Sequence, residues 1–177
     1  MYANQSIAPP VRLSQCQHCG WTAIWIDGVL SHPAFSTAPM PHDDLVGVAL
    51  ETYLEARSIV APSPRASSAL LRRCLEELVG QLGARGSNLN DKVGDLVASG
   101  MSVQIQQAMD TLRVIGNESV HPGTIDVRDD PEVAIALFEL VNLVVEAMIT
   151  QPQRVAGLYE RLPESKRKSI DDRDGGK

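Results

Sequence analysis

Aromatic residues are scarce in this chain, 4% of 177. That scarcity weighs against a β-sandwich, whose strands favour aromatic and β-branched side chains. Cysteine is scarcer still. Three residues, an odd number, exclude a disulfide scaffold and fit a reducing, cytoplasmic compartment. No stretch of 18 apolar residues runs without a charge, so neither a transmembrane helix nor a membrane partner is expected. Residues 1–12 lack the apolar core of a secretory signal. Basic charge is also in deficit: the formal net charge is −6, from 22 acidic and 16 basic residues. General binding to double-stranded DNA draws its affinity from phosphate neutralisation, and this balance argues against it. A local basic region remains, because residues 154–177 carry seven basic and five acidic side chains. Walker, H-E-x-x-H and G-x-S-x-G motifs are absent, which removes the common nucleotide, zincin and esterase readings.

What is present divides into a leader, residues 1–42, and a helical part, residues 43–177. After a loose, proline-containing start, the leader carries Cys16-Gln17-His18-Cys19-Gly20. Two short apolar stretches follow, Thr22 to Ile26 and Val29-Leu30, joined by Asp27-Gly28. Asp-Gly suits the positive-φ positions of a tight turn, so a β-hairpin is predicted. From residue 43 onward apolar residues recur at helical spacing. Asp43 or Asp44 is placed to cap a helix running to about Ile59. Ser63 caps the next, with Pro64 at its first position, where a missing N–H costs nothing. Shorter helices are predicted over 89–98 and from Ser102 to about Val120. The last strong helix starts near Asp130-Pro131 and is apolar nearly all round to Ile149, which places it at the centre of a bundle or in a subunit interface. Pro152 begins a further short helix, and the final residues form a frayed tail. The predicted fold is an all-α bundle of about five main helices with a small N-terminal β-hairpin appendage.

Two features can carry chemistry. Cys16 and Cys19 form a C-x-x-C, a spacing at which two thiolates share one zinc ion. A structural site wants four ligands, and His32 and His42 are the candidates for the remainder. The alternative is a free thiol pair. Cys74 lies on the apolar face of a predicted helix and reads as core. The second feature is Arg113, Asn117 and His121, spaced i, i+4, i+8 and therefore on one side of a helix. A cation, an amide and an imidazole in a row suit phosphodiester chemistry, with the histidine moving a proton and the arginine gripping phosphate oxygens. A structural role stands beside that one: Arg113 can pair with Asp110 or Glu118, and His121 can cap its own helix. Arg65, Arg72 and Arg73 make a small basic cluster, with Glu76 and Glu77 placed to pair along the helix.

Ser63-Pro64-Arg65-Ala66-Ser67-Ser68-Ala69-Leu70-Leu71-Arg72-Arg73 opens one helix, and Arg113-Val114-Ile115-Gly116-Asn117 through His121-Pro122-Gly123 closes another. Together they resemble the bacterial domain-of-unknown-function family 4145. The tail, Leu162-Pro163-Glu164-Ser165 with Arg173-Asp174-Gly175, resembles one of its subgroups, and the stretch from Cys16 to His32 resembles a short zinc-ribbon-like leader. The resemblance covers residues 10–175. That family is similar to the HEPN class of small α-helical domains, found alone or attached to defence proteins. The resemblance implies a homodimer and no cofactor in the helical domain, with structural zinc on the leader's C-x-x-C. Active HEPN domains are metal-independent ribonucleases with an Arg…His motif at the dimer interface, while others are binding or toxin-partner modules. The resemblance carries Arg113, Asn117 and His121 onto that catalytic site, although the interval from Arg113 to His121 is longer than the usual one. The leading expectation is a non-catalytic interaction or regulatory module linked to defence or stress, with a partner protein. The alternative is a metal-independent ribonuclease or RNA-binding module.

Overall fold

Local capping chemistry and apolar periodicity translate into a mostly helical chain with one small sheet. The computed structural model describes residues 10–32, 36–119 and 130–175. It divides into two compact units, Met1–Thr37 and Ala38–Lys177.

The first unit is a three-stranded antiparallel sheet of β1 (Val11–Gln15), β2 (Thr22–Ile26) and β3 (Val29–His32), in the order β1-β2-β3. Asp27 and Gly28 turn the β2–β3 hairpin with φ of 52° and 82°. Both are left-handed, the geometry that matches the twist of the flanking strands. The hairpin is where the Asp-Gly pair predicts it. β1 is an addition to the sequence reading, which has only a loose leader there. It pairs Val11 with Ile26 and Leu13 with Ile24, so the apolar residues of both strands share a face. No residue from Pro10 to His32 is buried.

The second unit comprises α1 (Gly47–Ile59), α2 (Pro64–Gln81), α3 (Leu89–Ala98), α4 (Val103–Glu118), α5 (Pro131–Val145), α6 (Gln151–Tyr159) and α7 (Glu164–Asp174). Side-chain caps start four of them. The Ser63 hydroxyl accepts the Ala66 amide, Asn88 accepts that of Asp91, Ser102 that of Ile105, and Asp130 those of Glu132 and Val133. Each satisfies an amide that the first helical turn leaves without a partner. α1 differs. It begins after Val46 with no side-chain cap, later than the aspartates predict, because Asp44 instead accepts a hydrogen bond from the Thr150 hydroxyl at 2.5 Å.

α2 is the central helix, packing against α1, α3, α4 and α5. The sequence reading gives that place to α5, which instead buries one face, through Leu137, Phe138, Val141, Val144 and Val145, and leaves Leu143 46% exposed. The rings of Tyr53 and Phe138 meet edge to face at 5.0 Å in the core. Residues ahead of α1 strap this core. The Tyr53 hydroxyl donates to the Pro39 carbonyl, Arg57 Nε donates to that of Ala38, and Asn142 Nδ2 donates to that of Met40.

α5 does not stop before Pro152. A π-helical turn, Glu146–Thr150, joins it to α6, making one helix of 29 residues from Pro131 to Tyr159. Proline lacks the N–H of an α-helical ladder, and its ring meets the carbonyl four residues back. The wider turn, in which the Gln151 amide reaches the Glu146 carbonyl, opens the ladder at that point. By length and composition this helix is long and apolar enough to cross a membrane, against the expectation from charge-free runs. Its inward face is nevertheless built into the helical core.

Truncating Phe138 to alanine removes the partner of Tyr53 from a site with no exposure. The expected cost is about 3–5 kcal/mol, read as a lower midpoint in urea unfolding at unchanged slope.

Candidate functional site at the α2–α4 crossing

The two segments that carry the family resemblance meet in space. α4 crosses α2 at Gly116, which has no room for a side chain: a Cβ there would collide with the Arg72 side chain and lie 3.0 Å from the Ser68 carbonyl oxygen. On α2 the seam is met by Ser68 and by the stem of Arg72, while Ser67 turns toward α1. Ser67 and Ser68 are fully buried and satisfy their hydroxyls on the carbonyls of Ala56 and Pro64, at 2.9 Å each. One turn further along α4, Arg65 Nε donates to the Ser119 carbonyl. That carbonyl belongs to the helix end, where acceptors lack intrahelical donors and favour a cation. Arg65 is thereby fastened beside the last turn of α4, and the stem of Arg72 packs at Gly116. A cleft lined by Ser63, Arg65, Ala66, Ala69, Leu70 and Ser119 opens there.

Arg113 lies on the same helix and is half-buried. Its Nε and Nη2 both donate to Asp110 Oδ1, at 3.1 and 3.0 Å. Of the two carboxylates that the sequence offers it, the structure selects Asp110. Glu118 Oε2 is buried, and so is Arg72 Nε, each without a hydrogen-bond partner among the described residues. Asn117 is exposed. His121 lies outside the described residues, so the arginine and the amide are placed and the imidazole is not. An arginine matched by a carboxylate of its own helix grips phosphate only by competing with that carboxylate. A second groove, lined by Gln107, Asp110, Thr111, Val114 and Ile115, runs along the outer face of α4. Arg72 and Arg73 lie 3.9 and 3.5 Å from Glu76 and Glu77, the pairings that their four-residue spacing predicts.

The metal-ligand candidates are dispersed. Cys16 and Cys19 sit together on an exposed knuckle, closed by the Gly20 amide on the Cys16 carbonyl at 2.9 Å and the Cys16 amide on the Trp21 carbonyl at 2.8 Å. The Cys16 sulfur receives the backbone amides of Cys19 and His18 and the Cys19 thiol, which hold its pKa below the ordinary thiol value. His32 ends β3 and is exposed. His42 belongs to the helical unit, and both of its ring nitrogens are engaged. Nδ1 accepts the Asp44 amide at 3.1 Å, so Nε2 donates to Glu146 at 3.0 Å. Its backbone amide donates to Asn142. The sequence reading missed Glu146 and Asn142, whose partners are about a hundred positions away and leave no local signal. Among the described residues no three metal-ligating side chains gather. Cys74 is core, as its periodicity predicts, and burial pushes its thiol up to about 12.

Two outcomes follow. Gly116→Ala forces α4 away from α2 and is expected to cost about 1–3 kcal/mol in urea unfolding, whereas Arg113→Ala, on a partly exposed pair, costs less than about 1 kcal/mol. Iodoacetamide at mildly alkaline pH is expected to modify Cys16 and Cys19 in the native protein and to reach Cys74 only after denaturation. Intact-mass measurement counts the adducts, and native labelling of Cys74 would show that the α1–α2 packing opens.

Comparison with known proteins bears on the same region. The model of one family, described as Domain of unknown function (DUF4145), matches residues 54–161. No curated protein and no solved structure matches. The matched stretch holds all of α2, α3, α4, α5 and α6, including the crossing at Gly116. It spans more than half of the sequence, and the chain belongs to the DUF4145 family.

Proposed function

We propose that this protein is a non-catalytic interaction or regulatory module of bacterial defence or stress systems, working as a homodimer through its long apolar helix. One observation carries the reading. The Pro131–Tyr159 helix has a mean hydropathy of 2.0 over its most apolar stretch, yet only 33% of that stretch is buried. Leu143, Val155 and Leu158 stand 46%, 67% and 59% exposed along it. An apolar strip of this kind marks a binding surface rather than ordinary solvent-facing helix. The occupant is a second copy of the chain, in keeping with the HEPN-like class that the sequence resembles, whose domains typically dimerise. The neutralised Arg113 supports a binding role over a catalytic one, because its charge is already matched by Asp110.

A ribonuclease reading draws on a different observation: Arg65 is bonded to the end of α4 and the stem of Arg72 packs at Gly116, on the helix that carries exposed Asn117. In that reading His121 takes the proton of a ribose 2′-OH and Arg113, released from Asp110, steadies charge on phosphate.

Sedimentation velocity at micromolar concentration is expected to give a dimer. The double variant Leu143→Asp, Val155→Asp is expected to give a monomer with unchanged helical circular dichroism. A monomeric parent protein would overturn the interface. Mixed RNA incubated in chelator is expected to survive both the parent and Arg113→Ala. Cleavage by the parent that Arg113→Ala loses would install the ribonuclease reading instead.

A further inference from the structure

A cleft of about 450 Å³ opens where the π-helical turn and the start of α6 pass the beginning of α1 and the end of α2. Its walls are apolar, from Val46, Leu82, Met148, Ile149 and Pro152, and its polar groups are few: Asp44, Gln81 and Gln153. That size, with apolar walls and a few polar groups, is typical of small-molecule sites. Leu143, Val155 and Leu158 take no part in the lining, so the cleft is distinct from the apolar strip.

Asp44 is the one charged residue of the lining among the described residues, and it is half-buried. Its Oδ2 accepts the Thr150 hydroxyl. Its Oδ1 has no partner, and no cation pairs with the carboxylate, among the described residues. Nearby Glu146, by contrast, has His42 and Arg154 as partners, at 3.0 and 3.9 Å. The two helix ends at the cleft are bridged by Gln81 Nε2, which donates to the Val46 carbonyl at 3.2 Å. One is the start of α1 and the other the end of α2, so their partial charges are opposite and offset one another. The charge that remains is the carboxylate's. A carboxylate drawn partly out of water without a counter-charge is costly, and a bound cation relieves that cost.

We propose that this cleft binds a primary alkylammonium ion, its ammonium on Asp44 and its hydrocarbon chain along Leu82, Met148 and Ile149. An ammonium carries three N–H donors. Asp44 Oδ1 takes one. The side-chain oxygens of Gln81 and Gln153 accept no hydrogen bond among the described residues and serve the others. A guanidinium is matched by two open oxygens of one carboxylate, and Thr150 already holds one of them. The compact ammonium needs only the other. The chain gains by leaving water, and Met148 is the flexible side chain that fits itself to an irregular apolar partner.

The test follows methionine methyls and backbone amides of the full-length chain by NMR during titration with pentylammonium chloride at constant ionic strength. Saturable shifts are expected at Met148, Asp44 and Gln81, with an affinity of about 1 mM. 1-Pentanol, the same chain without the charge, is expected to bind about tenfold more weakly. Asp44→Asn, whose amide oxygen still accepts the Thr150 hydroxyl, is expected to bind the two equally. Gln153→Trp, at an exposed position, is expected to fill the cleft and lose both. Equal binding of pentylammonium and pentanol by the parent protein would overturn the proposal. Absence of saturable shifts, or shifts that Asp44→Asn leaves unchanged, would overturn it too. Binding of Nα-acetyl-lysinamide without binding of pentylammonium would overturn it in favour of a partner protein's side chain.

Discussion

The closeness of α4 to α2 is the constraint on which the helical unit depends. Backbones approach this nearly only where a side chain is missing, and Gly116 lies against Ser68, next to Ser67, and against the stem of Arg72. The serines solve a second problem at the same time. A buried hydroxyl without a partner is costly, and both turn theirs onto carbonyls of the α1–α2 region, one on a neighbouring helix and one on their own. With α4 seated, Leu112 and Met109 reach the core and the end of α4 comes within range of Arg65. The polar residues at this crossing are therefore consequences of a packing decision made by residues with almost no side chain.

A second level of organisation ties distant segments. The strap ahead of α1 is tied to α5 and the π-helical turn by polar contacts, Asn142 on Met40 and His42, Glu146 on His42, and Thr150 on Asp44, while its Ala38 and Leu45 are buried in the core. These contacts fix where the chain enters the bundle. They also consume His42, a residue whose chemistry suggests other uses. The apolar core beneath, centred on Tyr53 and Phe138, supplies the larger share of stability, because burial scales with area while each polar contact here exchanges bonds with water.

Legibility in the sequence follows the range of the interaction. Ser63, Ser102 and Asp130 are readable as helix starts because a cap acts within three residues. Asp27-Gly28 is readable as a turn for the same reason. Pairing of Arg113 with Asp110 was one of two local options, and it is local. The start of α1 was misread because Asp44 answers to Thr150, 106 positions away. The role of Gly116 was unreadable, since only the crossing helix makes a side chain there impossible. β1 escapes because five residues of alternation carry too little pattern, and the continuity of α5 with α6 escapes because Pro152 reads as the start of a separate short helix by local rules that a π turn evades.

That π turn has a geometric effect of its own. Each residue of an α-helix advances about 100° around the axis. A π turn inserts one residue into the ladder, so everything beyond it is rotated by about that amount relative to an uninterrupted helix. α5 turns its apolar side inward, whereas α6, continuous with it, buries nothing and shows Val155 and Leu158 outward. A single extra residue thus makes one rod present two unrelated faces, one belonging to its own fold and the other available to the world outside it.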